Sequence, residues 1–138
     1  MYEKLTAFLP KLQNDQFGLW HTDQENDGSA EHPIHLPFVN YSGVVCEFEE
    51  TVYSFVDAHE EIRDYEGILK AAGLQWSAYS MKNANVDELD GKTVVALILS
   101  TIRAERFCDG VLLEFFKNGC IAKWLSRLQE IDQQQSMN

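Results

Sequence analysis

A chain of 138 residues with 45% apolar side chains can bury about two-thirds of its unfolded surface around one core, and is too short for two comfortable domains. Its longest apolar run, Val94 to Leu99, falls far short of the ~18 residues that a bilayer span requires. A formal charge of -11 repels nucleic-acid phosphates and anionic lipid alike, so neither a nucleic-acid binder nor a membrane protein is expected.

The excess negative charge is confined to one part of the chain. Residues 1–91 hold 17 acidic and 5 basic side chains, whereas residues 92–138 hold 5 acidic and 6 basic. Glu3 interrupts any basic and apolar leader, and a cytoplasmic location is expected. Cys46, Cys108 and Cys120 match neither a disulfide framework nor a paired zinc knuckle, and are read as three buried free thiols.

Tyr2, Leu5, Phe8, Leu9 and Leu12 have helical spacing, with Pro10 kinking or splitting the helix near Leu9. Residues 14–42 lack a helical period. Two short apolar stretches, Phe17 to Trp20 and Ile34 to Val39, flank a polar tip, which predicts a two-stranded feature, a mobile lid or a binding loop. Pro33 and Pro37 restrict any second strand to an edge.

Ser42 is placed to cap a helix from about Gly43 to Ala58, with Val45, Phe48, Val52 and Phe55 forming its apolar stripe and Glu47, Glu50 and Asp57 its solvated side. Asp64 begins a shorter helix to Ala72, stopped by Gly73. Leu74 to Met81 shows no period. Asn85 with Glu88 has the form of a capping box, and Asp90–Gly91 offers a second start.

The run from Thr93 to Phe107 is long enough to be a helix, and its apolar positions leave only a narrow polar side at Thr93 and Ser100. It is therefore expected at the centre of the domain. Asp109 and Gly110 break the chain, and Val111 to Lys117 and a final helix through Ile121, Trp124, Leu125, Leu128 and Ile131 follow, separated by Asn118–Gly119. The polar residues after Asp132 are expected to be a disordered tail, 133–138. The fold class is mainly α: one domain over residues 1–132, a bundle of about five to six helices with a hairpin or irregular excursion at 14–42.

The segment from Ile102 to Gly110 concentrates charge where the central helix ends. On the helical wheel, Glu105 falls on the side of Ile98, and Arg106 between Ile102 and Leu99. Either the helix leaves the core here, or Glu105, Arg106 and Asp109 are partly buried and must find partners. Arg106 and Asp109 stand three apart, close enough to pair. Arg103, Glu105, Arg106 and Asp109 are accordingly the candidate ligand-binding residues, the arginines suiting a carboxylate or phosphate. No catalytic residue is assigned.

His21, His32 and His35 lie within fifteen residues among carboxylates, a weaker candidate set for a transition metal. They sit in an apparent excursion without the fixed i, i+4 spacing of a helical site. Asp23, Glu25, Asp27 and Gly28 lack the glutamate that a calcium loop needs at its twelfth position, occupied here by Ile34. Cys108 or Cys120 with His59 or a histidine of the 14–42 excursion would make a nucleophile pair only if the fold brought them together. No cofactor is implied.

Arg-Ala-Glu-Arg-Phe-Cys-Asp-Gly at 103–110, Leu112-Leu113-Glu114, Asn118-Gly119 and the closing Trp124-Leu125-Ser126-Arg127-Leu128 stretch together resemble a bacterial family of small domains of unknown function. Phe17-Gly18-x-Trp20 and Leu36-Pro37-Phe38-Val39-x-Tyr41-Ser42 extend the resemblance over most of the chain. It implies a mainly helical fold and brings no activity, substrate or cofactor. The functional expectation is a non-enzymatic protein- or ligand-binding module, homodimeric or docked on another protein. The alternative is an anionic-ligand site or enzyme centred on Arg103, Glu105, Arg106 and Asp109.

Overall fold

The computed structural model describes residues 1–12, 17–21, 38–74, 77–108 and 110–136. Within them the chain forms seven α-helices, three 3-10 turns and one small antiparallel sheet. The first segment is divided as Pro10 requires: α1 (Glu3–Thr6) ends early and a 3-10 turn covers Leu9–Leu12. Strands β1 (Gly18–His21) and β2 (Phe38–Tyr41) pair with Gly18 opposite Tyr41 and Trp20 opposite Val39, so the excursion begins and ends as a two-stranded feature. Its tip, including Pro33 and Pro37, lies outside the described residues.

Helix α2 (Gly43–Ala58) has the expected bounds and buries Val45, Phe48, Val52 and Phe55. Ser42 occupies its N-cap position but makes no capping bond, and its buried hydroxyl oxygen has no partner among the described residues. Helix α3 (Tyr65–Ala71) is capped by Asp64, whose carboxylate accepts from the Gly67 N–H, and Gly73 terminates it at φ 78°. Helix α4 (Ala78–Lys82) lies in the stretch without a readable period. Asn85 precedes a 3-10 turn and makes no side-chain cap bond.

The long apolar run is the central helix α5 (Gly91–Ala104), started by the Asp90 carboxylate accepting from the Thr93 N–H at 2.9 Å. It packs against α2 and α3, and against α6 (Val111–Lys117) and α7 (Cys120–Ser136). Every residue from Thr93 to Ile102 is buried, the polar side included. Ser100 and Thr101 make burial tolerable by donating their hydroxyls back to the Leu97 carbonyl, at 3.1 and 3.0 Å. Each fully buried Leu, Ile or Val along this helix contributes roughly 1.5–3 kcal/mol through removal from water.

Helix α7 closes the core with Ile121, Trp124, Leu125 and Leu128. It extends past Asp132, where sequence periodicity ends, to Ser136. Four residues of the expected tail are thus helical, and 137–138 lie outside the described residues. The Asp132 carboxylate accepts from the Tyr2 N–H at 2.9 Å, tying α1 to α7. Among the described residues no helix is long and apolar enough to cross a membrane.

Gly91 permits a close approach. A Cβ there would collide with the hydroxyl end of the Tyr2 ring, which is only 6% exposed and packs on Phe55 at 5.6 Å. Alanine normally favours a helix over glycine by roughly 1 kcal/mol, yet Gly91→Ala should lower stability by about 1–3 kcal/mol through overpacking. Urea unfolding measures the sign, and a stabilised variant would show that Tyr2 moves freely.

The three thiols are free but not buried: Cys46 and Cys108 are exposed and Cys120 is partly exposed. Cys46 adjoins the buried Val45 on α2 but falls outside the apolar stripe, and Cys108 sits on the turn after α5, where the chain has left the core.

Candidate functional site

Helix α5 stops at Ala104. The backbone then tightens into a turn in which the Phe107 and Cys108 N–H groups both donate to the Ala104 carbonyl at 3.0 Å. Gly110 re-enters the next helix at φ 92°, a conformation that an L side chain adopts only with strain.

A glycine at the N-cap position has no side chain to satisfy the open N–H groups of α6. Glu105 reaches across the turn to do so. Its carboxylate accepts from the Gly110 N–H at 2.9 and 3.0 Å and from the Leu112 N–H at 3.3 Å. The Tyr41 hydroxyl donates to the same carboxylate and accepts from the Leu113 N–H at 3.1 Å. Two side chains, one from the end of α5 and one from β2, thereby secure the first turn of α6 and fasten the hairpin to it.

Tyr41 stays a neutral donor. Burial first, then the hydrogen bond and charge of Glu105, hold its phenol far above the ordinary value of 10.0. A folded pKa above the unfolded one gives stability that is complete below about pH 10 and is lost as the pH rises beyond it. Tyr41→Phe should cost about 1–2 kcal/mol at pH 7, and the gap from the parent protein should narrow above about pH 10. Urea titrations of both proteins from neutral to alkaline pH measure that gap, and one that stays constant would remove Tyr41 as the titrating partner.

Glu49, half-buried on α2, is raised above the usual carboxylate value by burial and then by the Glu105 charge. Its ionised form is therefore the less compatible with the fold, the opposite sign to a salt-bridged carboxylate. Arg103 turns toward α2 and α3. Hydrogen bonding to the Tyr53 hydroxyl, then to that of Tyr65, raises its pKa above the ordinary guanidinium value.

The three candidate ligand residues that are described thus diverge. Arg103 faces Tyr53 and Tyr65, Glu105 faces the α6 backbone and Tyr41, Arg106 is exposed, and Asp109 lies outside the described residues. Among the described residues no ion pair joins Glu105 to Arg103 or Arg106. Phe107, next to Arg106, is 85% exposed, the largest exposure of any bulky apolar side chain described.

Of the histidine set, the His21 backbone lies in β1, while His32 and His35 lie outside the described residues. Among the described residues no group of three His, Cys, Asp or Glu side chains is placed to hold a metal. His59 stacks on Phe55 at 4.2 Å, with Nδ1 2.9 Å from the Phe55 carbonyl oxygen. Burial pushes the Cys120 thiol up, away from the thiolate that a nucleophile needs.

A family model matches residues 1–134, nearly the whole chain. The chain belongs to the family of unknown function DUF6508. No curated protein and no solved structure matches it significantly. In this member of DUF6508 the segment from Arg103 to Gly110 contains the helix junction, and the N-terminal segment that includes Tyr41 supplies its second hydrogen-bonding side chain.

Sequence reasoning missed Tyr41, Glu49, Tyr53 and Tyr65. Tyr41 stands 64 residues from Glu105, beyond the reach of any helical or strand period. The available signal was local: a tyrosine at the end of a short strand, where an amphipathic ring can bury its body and direct its hydroxyl to a partner.

Proposed function

We propose that this domain is a non-enzymatic recognition module that engages a protein through the turn carrying Arg106 and Phe107. The observation that carries this reading is Phe107: an aromatic ring 85% exposed, on a turn whose ends are held by the Glu105 carboxylate. Exposing a phenyl ring to water is unfavourable by roughly 1.5–3 kcal/mol relative to burying it. Aromatic and arginine side chains are also the types that dominate binding energy at protein interfaces. Holding the turn in advance lowers the ordering cost of association.

An anionic ligand centred on Arg103, Glu105, Arg106 and Asp109 is the weaker reading. It would compete with Glu105 for the α6 N–H donors and would find Arg103 directed elsewhere.

Photocrosslinking tests the proposal. The full chain carrying p-benzoylphenylalanine at position 107 is expected to give a discrete adduct in its native cell, and the same probe at exposed Glu60 to give none. Equal, diffuse labelling at both positions would count against the module.

A further inference from the structure

Beside the Phe107 turn lies an apolar cleft of about 140 Å³ between α4, α5 and α6. Met81, Ala104, Cys108, Val111 and Phe115 form most of its wall. The polar groups that border it are already used: Thr101 donates to the Leu97 carbonyl at 3.0 Å, and the Ser77 hydroxyl accepts from the Ser80 N–H at 3.2 Å. An occupant therefore gains little from polar groups of its own and most from apolar contact. An apolar cavity of about 150 Å³ accommodates a benzene ring. Met81 and Cys108 add polarizable sulfur, which packs favourably at an aromatic edge.

We propose that this cleft is a socket for an aromatic ring, and that the ring is Phe107 of a second copy of the chain. The inference rests on the reading of the Phe107 turn as the recognition element and names its partner. Ala104 and Cys108 line the cleft and flank Phe107 in sequence at three and one residues' distance, so knob and socket occupy one patch. A two-fold axis through such a patch places each Phe107 in the other copy's socket. The contact is then made twice and closes, with nothing left to propagate into a fibre.

Charge favours the same face. A dimer formed by the N-terminal two-thirds would oppose two surfaces each rich in carboxylates, with 17 acidic against 5 basic side chains in residues 1–91. Residues 92–138, which supply Phe107 and most of the socket, carry 5 acidic and 6 basic side chains. Their self-association meets no comparable like-charge repulsion.

Sedimentation equilibrium of the full chain, the Phe107→Ala variant and the Ala104→Phe variant tests the pairing. Phe107 is so exposed that its truncation should leave folding unchanged, and circular dichroism with thermal melting checks that both variants fold. The parent is expected to be a dimer, and Phe107→Ala, which removes the ring from both halves, to weaken it on the order of 100-fold or more. Ala104→Phe fills the socket and should weaken it comparably. Should that variant fail to fold, Val111→Phe serves as the socket-filling arm.

Mixing the two variants restores one ring with one open socket, so a heterodimer tighter than either variant's homodimer is expected. A monomeric parent overturns the pairing, as does a dimer indifferent to Phe107→Ala or to a filled socket, or a mixture that gains nothing. The crosslink at position 107 separates the two levels. An adduct of twice the 15.8 kDa chain mass supports both, and an adduct with a different protein from a monomeric parent overturns the second copy while leaving the recognition module standing.

Discussion

Replacing Glu105 with alanine should destabilise the fold by roughly 3 kcal/mol, because it withdraws the acceptor from two backbone N–H groups and one tyrosine hydroxyl together. Hydrogen bonds to an ionised acceptor are each worth about 1.5–3 kcal/mol, but the site is only partly buried and water recovers part of the loss. Against a typical domain stability of about 5–15 kcal/mol, the change is large. Glu105→Gln keeps the shape and one carbonyl oxygen and should cost about 1 kcal/mol.

The bonds converge on one carboxylate, so the losses should not add. In a double-mutant cycle, Tyr41→Phe combined with Glu105→Ala should fall short of the sum by about 1 kcal/mol. Urea unfolding provides these values, and amide exchange at Leu112 and Leu113 should accelerate in Glu105→Ala before exchange in α5 does. A Glu105→Ala protein within about 0.5 kcal/mol of the parent, the usual range of an uninvolved surface change, would mean that the carboxylate does not hold the junction.

Where a sequence period acts over several turns, the fold was readable from it. The Val45, Phe48, Val52 and Phe55 stripe places α2 at its observed bounds, and the apolar run after Gly91 identifies the enclosed helix. The wheel stops applying after Ala104, where α5 ends, because beyond a helix end the 100° step no longer describes where side chains point. Glu105 is partly buried and partnered there, whereas Arg106 is exposed as the chain leaves the core. The five-residue α4 was invisible for a related reason, being shorter than two turns and so having no period to detect. Capping signals of one or two residues divided. Asp64 and Asp90 make their bonds, Ser42 and Asn85 have the chemistry at the right places without making them, and Gly110, which has no capping group, is served by a glutamate before it in the chain. The partners at the junction join elements distant in sequence, and only the assembled packing of β2, α5 and α6 brings them together.

Packing of the same elements predicts the other large effect, at Phe48. This ring is 0% exposed and lies edge-on to Phe8 at 5.4 Å and to Phe116 at 5.5 Å. Phe116 in turn packs on Phe17 at 5.1 Å, immediately before β1. Phe48 therefore joins the N-terminal segment, α2 and α6, and through Phe116 it supports the hairpin that carries Tyr41. Phe48→Ala should cost about 3–5 kcal/mol, the transfer of the lost ring atoms plus the cavity left among rigid neighbours. Phe48→Leu keeps most of the volume but loses both edge-on contacts, and should cost about 1–2 kcal/mol. The two variants separate volume from ring geometry by the midpoint of urea unfolding. If Phe48→Leu proves as damaging as Phe48→Ala, ring geometry outweighs cavity formation at this node. If both are nearly neutral, the aromatic chain from Phe8 to Phe17 is not what fastens the hairpin, and Tyr41 must be held in place by its bonds to Glu105 and to the Leu113 N–H.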